Sequence, residues 1–248
     1  MLAETFQPIA VRAPSDNRVL FAARCLIDLQ LLTVFRFLRR ELGRCYGRVL
    51  DVGAGQAPWR ELLDHAEYVG LDIETADEFG MQRTPGIVYY DGARIPFPDG
   101  SFDHVMCSEV LEHVPDADAF LAELARILRP GGSLVLTDPW SARLHHLPHD
   151  YRRLTRYGLA ALMGAAYFDS IRVEERGNDV AVIANKIIVM LIRLLTPRPA
   201  VRALWTWPLA VLLAPIATGF LAAAHIALHF GFGSREDPLG YGIVAIKG

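Results

Sequence analysis

The stretch Arg48-Val49-Leu50-Asp51-Val52-Gly53-Ala54-Gly55 decides the fold. A short apolar run, rich in β-branched residues and stopped by glycines, reads as a strand feeding a tight turn. Glycine has no Cβ, so backbone in such a turn lets a ligand approach closely. Downstream, Tyr68–Ile73, Ile87–Tyr90, Phe102–Cys107, Ser133–Thr137, Ser170–Glu175 and Tyr241–Ile246 read as six further strands. Helical spacing is expected over Ala57–His65, Asp116–Leu128 and Thr155–Ala166, with Arg129-Pro130-Gly131-Gly132 stopping the second. Strands alternating with helices predict an α/β fold built on a doubly wound, parallel sheet.

Upstream, residues 1–14 read as an irregular arm without the basic-then-apolar pattern of a signal peptide. Ser15-Asp16 offers a cap for one long helix over 17–42, an N-terminal helix placed at 15–42 with its cap. Arg36, Arg39, Arg40 and Arg44 crowd its end, where cations suit the helix dipole.

Composition narrows the class. The chain has 248 residues, 52 % of them hydrophobic, enough for one sizeable core. A net charge of -3 gives no footprint for nucleic acid, and no nucleic-acid partner is expected. Cys25, Cys45 and Cys107 are odd in number and lack CxxC spacing, which fits a reducing cytoplasm. The average hides an asymmetry, however. Val180–Ser234 is mostly apolar, carries Lys186, Arg193, Arg198 and Arg202, and has no acidic residue.

In a doubly wound fold the ligand lies beyond the carboxyl ends of the strands. Asp72 closes the second strand and suits a pair of ribose hydroxyls. A dinucleotide fingerprint would run G-x-G-x-x-G, but here Pro58 stands where the third glycine belongs. Asp51, two residues ahead of the first glycine, would repel a pyrophosphate and attract a cationic amino group. Those electrostatics favour S-adenosylmethionine, which carries a sulfonium, an ammonium and no phosphate.

Six ordered segments strengthen that choice: Asp51–Gly55, Gly70–Ile73, Asp91-Gly92-Ala93, Pro96–Asp103, Ser108–Val114 and Leu128–Gly132. Together they resemble class I S-adenosylmethionine-dependent methyltransferases, most closely the type 11 branch of quinone and small-molecule methylases. The resemblance covers residues 47–176 and the final strand. It implies a Rossmann-like, seven-stranded, mostly parallel sheet. It also implies roles by position: Asp51 and the backbone of Gly53, Ala54 and Gly55 hold the methionine moiety. Asp72 holds the ribose, Ile73 packs on the adenine, Asp91 binds its amino group with the Gly92 amide nearby, and Ser108 and Glu109 border the methionine end.

Methyl transfer rests largely on positioning. A base is needed only for a poorly acidic hydroxyl or a protonated amine, and His113 and His149 are the candidates. His145, His146, Tyr151 and Arg152 are expected on the acceptor side, with Arg152 suited to an anionic group. His145, His149 and Asp150 supply enough ligands for a metal, but Pro148 breaks their helical spacing and the chemistry needs none, so no metal is expected.

The family links its sixth and seventh strands by a short hairpin, whereas here residues 180–235 intervene as an apolar, basic helical insertion. The methyltransferase domain is thereby 1–179 plus 236–248. Leu204–Phe230 lacks Asp, Glu, Lys and Arg and is long enough to cross a bilayer. Both strands belong to one sheet, so the insertion crosses an even number of times or not at all. Pro208 and Pro215 are expected to break its second helix early. An in-plane or re-entrant hairpin, with Trp205 and Trp207 at the interface, is the favoured reading. The alternatives are a lid, a homodimer interface and two true spans. The expected protein is peripheral at the cytoplasmic face of the membrane and O-methylates a lipid, quinone or polyprenyl-linked sugar. The competing readings are a methyltransferase of a soluble small molecule and a non-catalytic cofactor-binding scaffold or sensor.

Overall fold

The structure, a computed structural model, describes residues 9–248. The first eight residues of the expected arm lie outside that range.

Seven strands form one sheet in the order β3-β2-β1-β4-β5-β7-β6. They are β1 (Arg48–Val52), β2 (Glu67–Ile73), β3 (Ile87–Tyr90), β4 (Phe102–Ser108), β5 (Leu128–Pro139), β6 (Phe168–Arg176) and β7 (Gly240–Lys247). The first five run parallel, and β7 is antiparallel to both β5 and β6. The strand order reverses between β1 and β4, which is where a doubly wound sheet opens its ligand crevice.

Both faces of the sheet are covered, so its central strands are apolar on both sides. Leu50, Val105, Leu134 and Ile243 point to one layer, packed under α3 (Ala117–Ile127) and α4 (Arg156–Ala165) through Leu121, Leu124, Leu159 and Met163. Val49, Met106 and Val135 point to the other, against Phe37, Leu38 and Leu42 of α2 (Leu29–Leu42). Gly242 on β7 is required there. A Cβ would meet the Phe37 ring at 2.4 Å.

The N-terminal helix is two helices, not one. Asn17, rather than Ser15 or Asp16, caps α1 (Arg18–Ile27) by accepting from the Leu20 amide. Asp28 then leaves the helical region and caps α2 by accepting from the Leu31 amide. A side chain that satisfies a helix start competes with an unbroken helix. The helix expected over 57–65 shrinks to a one-turn 3-10 helix at Arg60–Leu63. Ala57 stands at φ 52° and Pro58 follows it, and the residue before a proline is pushed out of the helical region. Leu128, the expected end of the following helix, already pairs with Phe102 as the start of β5, so the Arg129–Gly132 segment extends the strand.

The insertion is a helical hairpin of α5 (Asp179–Leu195) and α6 (Ala203–Phe230). Its base is tied shut: the Asp179 amide donates to Ser234 O, and Asn178 Nδ2 donates to Phe232 O at 2.7 Å. At its far end Trp207 Nε1 reaches Leu195 O. Pro208 and Pro215 do not break α6, which runs 28 residues through both. Each proline forfeits one backbone hydrogen bond, but the rest of the ladder persists in so apolar a segment. Ala210, Ala217 and Ala224 recur every seven residues and are buried, which lets α6 approach α5 closely.

Candidate functional site

β1 carries Asp51 to the crevice and buries it to 2 % exposure. Its Oδ2 accepts a hydrogen bond from Tyr68 Oη at 2.8 Å. Desolvation pushes the carboxyl up to about 7, opposed by the Tyr68 hydrogen bond and assisted by the nearby Asp72 charge. Asp72, also buried, accepts from the Gly55 amide at 2.7 Å and the Ile73 amide at 2.8 Å, while burial raises its pKa.

The turn between them is shaped by necessity. Gly53 sits at φ 73°, and a Cβ there would meet Val110 Cγ2 at 2.3 Å. The Gly53 and Ala54 amides both donate to Leu71 O, and the Gly55 amide is taken by Asp72. A polyphosphate site would present such amides to its ligand. Here they are engaged, and two carboxylates stand beside the turn instead. A buried carboxylate with only a phenol for support gains most from a cation. That donor set fits an ammonium- and sulfonium-bearing ligand with a ribose, and does not fit a pyrophosphate.

The other cofactor positions lie at neighbouring strand ends. Asp91, after β3, is exposed and accepts from the Ala93 amide at 2.9 Å. Gly92 follows at φ 84°, facing the half-buried Ile73. Ser108, ending β4, shares a hydrogen bond with Thr137 Oγ1 at 3.0 Å. Glu109 adopts φ 55° and receives Arg176 Nη2 at 2.7 Å. Arg176, buried at the end of β6, also donates from Nε to Tyr241 O. Asp138 lies beside it, fully buried, and desolvation raises its carboxyl to about 8. Sequence reasoning passed over Arg176 and Asp138, because each looks like an ordinary strand-end charge until β5, β6 and β7 are adjacent.

The histidines of the expected acceptor side converge. The ring centroid of His113 lies 4.7 Å from that of His145 and 5.1 Å from that of His146. Phe79, a residue the sequence did not single out, packs its ring edge-on to His113 and tilted against His146 and His149. Burial pushes His113 and His145 down to about 4, so both are neutral at neutral pH. His113 Nδ1 is 2.6 Å from His149 O. It supports the backbone of His149, which stays more open and pairs its own Nδ1 with Tyr151 Oη at 3.1 Å. Arg152 is turned to structure: its guanidinium donates to the Leu111, Val114 and Pro115 carbonyls. A guanidinium with three carbonyl partners fastens the loop to the end of the β4 crossover and does not reach out toward an acceptor.

Comparison with known proteins agrees with this geometry. The methyltransferase domain family matches residues 50–136. Demethylmenaquinone methyltransferase of Beutenbergia cavernae is 40 % identical over 103 residues, covering 38 % of this chain and 43 % of that protein. Fatty-acid O-methyltransferase of Mycolicibacterium smegmatis is 34 % identical over 142 residues, covering 53 % and 51 %. The chain thus spans about two fifths of the length of the first relative and about half of the second. Among solved structures, phosphoethanolamine N-methyltransferase 2 of Haemonchus contortus with S-adenosyl-L-methionine shares the fold. Its TM-score is 0.51 at 16 % identity, over 87 % of this chain and 52 % of that one. The sheet order, the two carboxylates at the glycine turn and the family match lead to one assignment: residues 50–136 carry a methyltransferase domain, the sheet has the class I methyltransferase fold, and the cofactor is S-adenosylmethionine.

Proposed function

We propose that the chain methylates an oxygen of an amphiphilic acceptor, a lipid, quinone or polyprenyl-linked sugar, at the cytoplasmic face of a membrane. The observation that carries this reading is the exposed apolar surface of the hairpin. Leu204, Val211 and Leu212 are 70–75 % exposed. Only 17 % of the most apolar stretch of Ala200–Phe230 is buried. A helix apolar all round belongs in a core or in lipid. The apolar surface continues onto α1, where Val19, Leu20 and Leu26 are exposed and His225 Nε2 meets Leu26 O.

The hairpin is also coupled to the acceptor side. Lys186 Nζ on α5 donates to Ser141 O at 2.6 Å, and Ser141 opens the loop that carries the histidines. That contact fastens the first half of α5 to the domain, as do Ala181, Val182 and Ala184, packed with Leu29 and Leu239. A fastened 17-residue α5 is a poor crossing segment, which favours a hairpin lying in or dipping into one leaflet. Arg193, Arg198 and Arg202 cluster near its outer end and suit anionic head groups.

In this reading the sulfonium supplies an activated methyl carbon. Asp51 and Asp72 fix the cofactor, the new carbon–oxygen bond forms as the carbon–sulfur pair withdraws to sulfur, and His149 takes the hydroxyl proton. His149 is chosen over His113 because the His113 side chain is only 11 % exposed and faces inward. The identities of the quinone and fatty-acid relatives support an amphiphile as the acceptor class.

Two measurements test it. Labelled cofactor is incubated with the chain and with either lipid or aqueous extract, and label should enter the lipid fraction. Liposome flotation of the full chain is compared with a version in which 180–235 is a short turn, and only the full chain should float. Label confined to aqueous products, or equal flotation, would overturn the acceptor class or the anchor. Failure to float together with a dimer in light scattering would assign the apolar surface to a second copy instead.

A further inference from the structure

Three histidines and a buried glutamate meet where the β4 crossover touches the β5 loop. One ring nitrogen each from His113, His145 and His146 lies within 4.8 Å of the others. Beneath them Glu112 has 0 % side-chain exposure, and its Oε1 is 3.6 Å from His113 Nε2 and 3.7 Å from His145 Nε2. Neither separation is a hydrogen bond. Among the described residues, neither carboxylate oxygen of Glu112 has a hydrogen-bond partner.

The surrounding contacts fix which nitrogens carry lone pairs. His113 Nδ1 lies 2.6 Å from His149 O. His145 Nδ1 lies 3.1 Å from Arg143 O and 3.3 Å from Asp150 Oδ2. A carbonyl only accepts, so each Nδ1 bears the proton and each Nε2 presents a lone pair toward Glu112. The two imidazole lone pairs therefore face the Glu112 carboxyl group, whose oxygens have no hydrogen-bond partner among the described residues. Left so, Glu112 is a buried, unpaired polar group, which is costly. The same arrangement, with each ligating imidazole oriented by a carbonyl or carboxylate at its other nitrogen, is how proteins hold metals. Ligands at about 2.1 Å around a tetrahedral ion sit roughly 3.4 Å apart, close to the spacings at Glu112 Oε1.

We propose that Glu112, His113, His145 and His146 form a site for a divalent transition-metal cation, with Zn2+ the best match to three imidazoles and a carboxylate. The ion clips the histidine loop to the end of β4. Binding rests on these four side chains alone and does not depend on the acceptor or on methyl transfer. The expectation of no metal rested on the broken spacing of residues 145–150 and on a chemistry that needs none, and the structure adds two candidate ligands from the β4 side that no local spacing reveals.

The test uses the full chain, stripped with a chelator and titrated with ZnCl2 by calorimetry and thermal unfolding, with Co2+ as a visible spectroscopic probe. About one equivalent should bind, unfolding should shift upward, and Co2+ should show tetrahedral absorption. Glu112→Gln and His145→Ala should each weaken Zn2+ binding by roughly 100-fold while retaining S-adenosylhomocysteine binding, which reports an intact fold. His225→Ala, far from the cluster, should change nothing. Unsaturable Zn2+ binding, or binding equal in all variants, would overturn the site. So would a chain that binds no Zn2+ and is stabilised by Glu112→Gln, since the cluster would then hold a proton in place of a metal.

Discussion

The sheet domain and the helical hairpin draw on the same apolar residues and put them to opposite use. In β4, Phe102, Val105, Met106 and Cys107 are at most 1 % exposed, whereas on α6 Leu204 is 75 % exposed, Val211 72 % and Leu212 70 %. Fully burying such a side chain contributes about 1.5–3 kcal/mol. The sheet collects that contribution in water, from its own two helix layers. The hairpin collects it along the face of α5 packed on the domain and the Ala210–Ala217–Ala224 seam of α6, and the outer side of α6 stays exposed. Cofactor recognition and the proposed surface attachment are thus separate physical problems, assigned to separate parts of the chain that meet at Lys186 and Ser141.

If the two regions are separable, each can be broken alone. The largest effect is expected at Asp72. Asp72→Ala removes the carboxylate proposed to hold two ribose hydroxyls, and hydrogen bonds to a charged group are worth about 1.5–3 kcal/mol each. Calorimetry should show S-adenosylhomocysteine binding weakened by more than roughly 100-fold, with flotation unchanged. Asp72→Asn, which keeps one acceptor oxygen, should fall between. A loss of flotation in either variant would mean the regions are not independent.

The reciprocal break is Val211→Glu with Leu212→Glu on the outer surface of α6. Both positions are exposed, so folding should be unaffected. Transfer to lipid loses two apolar side chains and gains two charges, and partitioning onto vesicles should fall by at least about tenfold. Cofactor affinity should stay within about twofold of the parent. Unchanged partitioning would move the contact surface away from this face of α6.

The two regions also differ in how far they were legible. Strands β1 to β7 announce themselves as short apolar runs, and all but β5, which starts five residues early at Leu128, form within two residues of their expected bounds. The places of Asp51, Asp72 and Asp91 at strand ends were legible because the glycine turn gives a reading frame for carboxylates there. Helix interruptions were not. Asp28 looks like one more helix-surface charge until its side chain is seen capping α2. Pro208 and Pro215 look like breaks, yet an apolar helix tolerates them. The junction of Glu112 with His145 was invisible for another reason: it depends on β4 lying beside β5 and on which ring nitrogen each carbonyl claims. Neither fact is encoded by spacing along the chain.

Within the cofactor half, Asp51 sets function against stability. Its folded pKa, about 7, exceeds the ordinary 3.8. The folded state therefore binds more protons than the unfolded state between those values, and this group's contribution to stability falls as pH rises through that window. Above it the full penalty of burying the charge remains. Asp51→Asn removes the charge. At pH 8 it should stabilise the ligand-free chain by about 1–3 kcal/mol, read as an upward shift of the unfolding midpoint, and should lose the cofactor affinity that the charge provides. Destabilisation at pH 8 would show that the carboxylate is already compensated by the protein.

The smallest expected effect sharpens the same point. Tyr68 Oη donates to Asp51 Oδ2, and a hydrogen bond to the charged form lowers a carboxyl pKa. Tyr68→Phe removes that donor and leaves the desolvation in place, so the Asp51 pKa should rise further, by about one unit. With Asp51 proposed to hold the cofactor's ammonium, binding would draw on its ionised form. In the parent, S-adenosylhomocysteine affinity should climb as pH rises from 6 to 8 and then level off. In Tyr68→Phe the same curve should keep its plateau height and move to higher pH by that unit, which is roughly a tenfold loss at pH 6 and little loss at pH 9. A uniform drop at every pH would mean that Tyr68 acts by packing. An unmoved curve would mean that the ionisation read by the cofactor belongs to Asp72, whose carboxylate is held by two backbone amides and not by a phenol.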